Sequence, residues 1–117
     1  MTQMSLSEAN DLLKKLFGEQ KSLATFFITP SGTRVRLNGF LTGSSTDTGI
    51  FITSRPLPDV GGNYINVSIF REGECTFSYG EQRELPEELR DSAGLGESAL
   101  LIHFLRTGER FAIYFTL

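Results

Sequence analysis

The sequence predicts a mainly β chain: an antiparallel β-barrel of about seven short strands, with an N-terminal helix and one short helical insert, forming a single domain over residues 1–117. Three observations predict it. Apolar residues recur with a period near two through residues 22–79 and 98–117. Gly- and Pro-bearing turns separate these runs, and no strand-helix-strand alternation of the kind that builds a parallel sheet is present. A closed or nearly closed barrel is expected from the count, because an open sheet of that many apolar strands leaves two edges to protect.

The helix is expected at residues 5–18. Ser5-Leu6-Ser7-Glu8 has the S-x-x-E form of a capping box, and Leu6, Ala9, Leu12, Leu13, Leu16 and Phe17 fall on one stripe of a 3.6-residue period. Lys14 and Lys15 complement the dipole of the last turn, and Gly18 suits the residue after the helix end. The first strand, 23–29, ends at Pro30-Ser31-Gly32, a hairpin turn. Its return, 33–42, places Val35, Leu37, Gly39 and Leu41 inward and Arg34, Arg36, Asn38 and Phe40 outward. Gly39, with no side chain to pack in the inward set, marks a bend or a close backbone approach.

Residues 50–53 form the next strand, followed by a loop containing Pro56, Pro58, Gly61 and Gly62. Tyr64 to Phe70 points Ile65, Val67 and Ile69 inward, Glu72-Gly73 turns the chain, and Cys75 to Tyr79 returns it. Pro86 opens the short helix expected at about 86–92. The tail pairs 99–105 with 111–117 around Arg106-Thr107-Gly108-Glu109. Both arms are so apolar that they belong in the middle of the sheet or under the N-terminal helix.

A net charge of −3 gives little electrostatic drive toward nucleic-acid phosphates. One cysteine excludes an internal disulfide and a cysteine-built zinc site. Ten Phe residues and no Trp imply a ring-rich core. There is neither a signal-like segment nor a long apolar run, so a cytoplasmic location without membrane insertion is expected. His103, the sole histidine, lacks an identifiable catalytic partner and reads as a strand residue; Cys75 reads as a small core residue. Glu81, Glu84, Glu87, Glu88 and Asp91 lack the spacing of a calcium loop and are interleaved with Arg83 and Arg90, so they read as a solvated face. No catalytic residue, metal site or cofactor is expected.

Residues 33–70 carry a strand with a Gly, a polar stretch closing on Gly49, a hydrophobic strand, then Pro-Leu-Pro-x-x-Gly before another strand. This order resembles the central part of a PilZ domain, a small β-barrel family whose better-known members bind cyclic di-GMP. The family motif D/N-x-S-x-x-G would fall on Ser44-Ser45-Thr46-Asp47-Thr48-Gly49, where Gly49 matches, Thr46 stands for Ser, and Ser44 replaces the acid or amide. The R-x-x-x-R motif is missing, since only Lys21 lies between Gly18 and Thr25. The resemblance thus implies the barrel and not cyclic di-GMP. A helix followed by strands bearing Gly32 and Gly39 is also similar to the start of an Sm-like barrel.

The function expected is a non-enzymatic binding or protein-interaction module that forms a homo-oligomer or takes a protein partner, because Phe40, Phe70 and Tyr114 lie on outward positions and edge strands invite pairing. The alternative is nucleotide or single-stranded nucleic-acid binding. It would use Arg34, Arg36 and Phe40 with Ser44, Thr46 and Gly49 of the loop 44–49, since guanidinium groups bind phosphate and rings stack bases.

Overall fold

The capping box forms. Ser5 Oγ accepts the Glu8 backbone N–H at 3.1 Å, and Glu8 Oε1 accepts that of Ser5 at 3.1 Å. Helix α1 then runs Leu6–Glu19, one residue later at each end than expected. Its apolar stripe buries Ala9, Leu13 and Leu16 completely or nearly so. The structure, a computed structural model, describes residues 1–19, 22–46, 49–56, 64–71, 73–90 and 97–116. No helix among them is long and apolar enough to cross a membrane.

Among the described residues the strands follow one another as β1 (Thr2–Met4), β2 (Ser22–Ile28), β3 (Arg34–Thr46), β4 (Gly49–Pro56), β5 (Ile65–Ile69), β6 (Cys75–Glu81), β7 (Ser98–Phe104) and β8 (Arg110–Phe115). Every pairing is antiparallel, and the order in the sheet is β1-β6-β7-β8-β2-β3-β4-β5. The apolar C-terminal hairpin β7–β8 lies in the middle of that order, as its composition requires. Strand β1 was not legible because three residues carry no period; it is fixed only by pairing Thr2 with Tyr79 and Met4 with Phe77.

Strand β3 is the longest of the described strands and serves two neighbours. Its first half pairs with β2 and its second with β4, and only Gly39 and Phe40 are paired on both sides. The expected loop 44–49 is corrected here. Ser44 to Thr46 continue β3, with Ser44 opposite Phe51 and Thr46 opposite Gly49, while Asp47 and Thr48 lie outside the described residues. Cross-strand pairing with the apolar run of β4 holds these small hydroxyl residues extended, overriding their turn preference.

The sheet must roll. Strands β5 and β6 stand at the eighth and second places of the order, about 29 Å apart in a flat sheet at ~4.8 Å per strand. Only residues 70–74 join them, and Ile69 to Cys75 spans at most about 20 Å of extended chain. Rolling brings both ends of the ladder into one core: Val67 and Ile69 of β5, Cys75 and Phe77 of β6, and Leu13 and Leu16 of α1 share a cluster with Ile52, Ile102, Phe111 and Ile113. Among the described residues no pairing joins β1 to β5.

The outer face carries a second, smaller core. Ala24, Phe26, Ile28, Ala99, Ala112 and Tyr114 pack there against Leu85 and Leu89 of the segment between β6 and β7. Tyr114 is fully buried, which corrects its outward exposed assignment, and its hydroxyl donates to the Leu89 carbonyl. The covering segment is two 3-10 turns, Gln82–Glu84 and Glu87–Leu89, and not the continuous helix expected at 86–92; Asp91 and Ser92 lie outside the described residues. Pro86 explains the break, since it holds Leu85 extended at ψ 153°. Val35 also departs from its inward assignment. Along β3 the inward set emerges from the core toward the turn at 30–32, from Leu41 at 1% exposure to Val35 at 45%.

Candidate functional site

The turn at Pro30-Ser31-Gly32 fixes the register of β2 against β3, placing Arg36 opposite Phe26 and Arg34 opposite Ile28. All four side chains therefore share the outer face. The Arg34 and Arg36 guanidinium carbons stand 4.6 and 5.6 Å from the centre of the Phe26 ring. Such contacts contribute about 0.5–1 kcal/mol each at exposed sites. Their larger effect is to orient two cations. Phe26 is itself held edge-on against Tyr114, with ring centres 5.3 Å apart and planes at 87°.

The 3-10 segment supplies the opposite wall. Arg83, Arg90, Gln82 and Glu87 join Phe26, Arg34 and Arg36 around a groove of about 600 Å3. Four arginines and one glutamate thus contribute to its lining, on a chain whose net charge is −3. Arg90 is anchored through Nε to the Leu85 carbonyl oxygen at 3.0 Å, and Arg83 is paired with Glu81 outside the groove. Arginine stays protonated at any physiological pH and presents planar pairs of donors. The lining therefore carries an excess of positive charge.

Arg34 and Arg36 share the outer face, and the aromatic described beside them is Phe26. The Phe40 backbone pairs with Ser22 and Arg55, and its side chain lies outside what the structure describes. Ser44 is exposed on the same face of β3, eight residues beyond Arg36, about 26 Å along an extended strand. The two therefore belong to different regions of the surface. The Thr46 side chain is likewise outside the described set. Gly49 has a packing reason for its identity: a Cβ there would stand 2.9 Å from the Ile69 carbonyl oxygen and 3.2 Å from Phe70 Cδ1.

Sequence reasoning missed Phe26, Gln82, Arg83, Glu87 and Arg90. Phe26 was accessible in principle, because a tight turn after Ile28 sets which residue faces Arg36. The insert residues were not, since the β6–β7 connection has no local signal for folding back over the sheet.

No protein-family model matches the chain, and neither does any curated protein or solved structure. The PilZ and Sm-like resemblances therefore rest on their motif residues alone.

The other candidates take structural places. Cys75 is 7% exposed, and burial, reinforced by the Glu74 carboxylate, pushes its thiol up to about 12. His103 sits mid-strand between Thr76 and Arg110. Of the acidic residues, Glu81 pairs with Arg83, Glu88 pairs with Arg110 at 3.0 Å, and Glu84 accepts the Glu81 backbone N–H at 2.9 Å. Among the described residues no group of three His, Cys, Asp or Glu side chains could hold a metal ion.

Proposed function

We propose that the chain is a non-enzymatic binding module on a barrel-like rolled sheet, open along the seam between β1 and β5, and that its ligand is a small phosphate-bearing anion of nucleotide size held in the arginine groove. One observation carries the reading: Arg34 and Arg36 from the sheet and Arg83 and Arg90 from the insert converge on one groove. Its volume suits a ligand of that size, and guanidinium donors match phosphate oxygens two at a time. The Phe26 ring, 5% exposed beneath two cations, supports the guanidinium groups and leaves no free face for a base. A planar ligand group would stack on the guanidinium planes themselves. A cytoplasmic setting would supply such anions.

The test is a thermal-shift and calorimetric comparison of pyrophosphate, mononucleotides and sulfate with the chain and with R34A/R36A. Saturable binding with a raised melting temperature, weakened by salt and lost in the variant, is expected. If millimolar concentrations of every phosphate compound leave the melting temperature unmoved, the reading is wrong.

A further inference from the structure

Strand β5 ends the ladder, and no described strand pairs with its outer edge. Proteins usually protect such an edge with a charge, a proline or a bulge. Ile65-Asn66-Val67-Ser68-Ile69 has no charged residue or proline, and it pairs with β4 in unbroken register. The segment is also close to palindromic about Val67. Paired antiparallel with its own copy at Val67, it sets Ile65 against Ile69 and Asn66 against Ser68 on both sides of a twofold axis. Every inward apolar residue then meets an inward apolar residue, and every outward polar residue meets a polar one.

The same register accounts for two aromatic side chains that the monomer leaves in water. Tyr64 and Phe70 flank β5 and are 56% and 59% exposed. Continuing the pairing by one residue at each end brings Tyr64 opposite Phe70 of the second copy, twice. Each ring already has support within its own chain: the Arg55 guanidinium carbon lies 5.5 Å from the centre of Tyr64, and Phe51 packs edge-on to Phe70 at 5.7 Å. Across the axis the outer-face row would read Arg55, Tyr64, Phe70, Gly49. Gly49, lacking a side chain, is what lets Phe70 lie close to the sheet. Aromatic cross-strand pairs are among the stronger contributors to sheet pairing.

We propose that β5 is a self-recognition edge: two copies of the chain join through antiparallel β5–β5 pairing centred on Val67, with Tyr64 and Phe70 forming reciprocal aromatic pairs. The partner is a second copy because the complementarity is of the strand with itself, which is what an isologous twofold contact demands. This interface lies on the far side of β3 and β4 from the strand bearing Phe26, and it does not depend on what the arginine groove holds.

The experiment is sedimentation velocity from micromolar to hundreds of micromolar chain, with hydrogen exchange at the two extremes. The mass should rise from 13.0 kDa toward twice that value, and the amides of residues 65–69 should gain protection with concentration. N66K/S68K sets like charges opposite one another across the axis and should remain folded by circular dichroism but monomeric. N66E/S68K sets opposite charges together in this register and should dimerise again. A chain that stays monomeric at the highest concentration overturns the proposal. So does a dimer indifferent to N66K/S68K. Should the lysine variant fail to fold, the wild-type exchange decides alone, and protection of 65–69 that does not change with concentration overturns the proposal.

Discussion

Thr25 and Ser54 meet hydroxyl to hydroxyl at 2.7 Å, each 1% exposed, although β3 lies between their strands. Thr25 stands beside Leu37 and Ser54 beside Leu41, so the two side chains reach across the inward position between them, which is Gly39. Gly39 places no side chain at that position. Thr25 Oγ1 also donates to the Leu37 carbonyl oxygen at 3.3 Å, which assigns the 2.7 Å bond to Ser54 as donor.

That polarity predicts an asymmetry. Thr25→Val strands the Ser54 hydroxyl without its acceptor and should cost about 1–3 kcal/mol. Ser54→Ala leaves Thr25 still bonded to Leu37 and should cost less. The double variant should cost less than the sum of the two, since an apolar pair leaves nothing unsatisfied. Urea unfolding of the three variants measures this, and additive losses would contradict it.

Tyr114→Phe should open the cover of the outer core without unfolding the sheet. It deletes the donor to the Leu89 carbonyl, at a cost of about 1–2 kcal/mol. Hydrogen exchange should accelerate at residues 85–90 and hold steady in β7 and β8. Uniform acceleration everywhere would show that the insert and the sheet unfold as one.

Cys75 should be chemically silent in the native chain. With its thiol pushed up to about 12, almost no thiolate exists at pH 8, and a disulfide reagent should react only as fast as the chain unfolds. The sign of the linkage follows: the folded state holds the proton more tightly than the unfolded state, whose value is near 9.0. Stability therefore falls as pH rises from about 9 toward about 12, and Cys75→Ala should flatten that decline. A slope unchanged by the substitution would refute the assignment.

The two insert arginines should separate binding from stability. Arg83 is 83% exposed, so Arg83→Ala should weaken phosphate binding several-fold with the melting temperature nearly unchanged. Arg90 ties its own side chain to Leu85, so Arg90→Ala should lower both. Equal melting temperatures for the two variants would show that the Arg90 bond holds nothing in place.

Particular residues show how far the sequence could be read. Local period and capping placed α1 and the strands from β2 to β8 within a few residues, because those signals are written in neighbouring side chains. What neighbours cannot encode is which faces are covered. Tyr114 alternates outward from Ile113 as the period requires, yet it is buried, because Leu85 and Leu89 arrive from the sixteen-residue segment between β6 and β7. Arg34 and Arg36 were identifiable as a pair on one strand face. Their partners Arg83 and Arg90 were not, since a long-range fold-back brings them there. Ser44 and Thr46 misled because hydroxyl residues suit turns and exposed strands alike.

Glu81 and Ser98 are already register partners, so β6 and β7 would be joined well enough by a two-residue hairpin. The sixteen residues actually spent between them look in the sequence like a dispensable polar excursion. Trimming them away would strip the roof from Phe26 and Tyr114 and remove one wall of the arginine groove in the same cut. Any attempt to minimise this scaffold, or to graft another loop at that attractive joint, would therefore have to replace two leucines and two arginines before it replaced anything else.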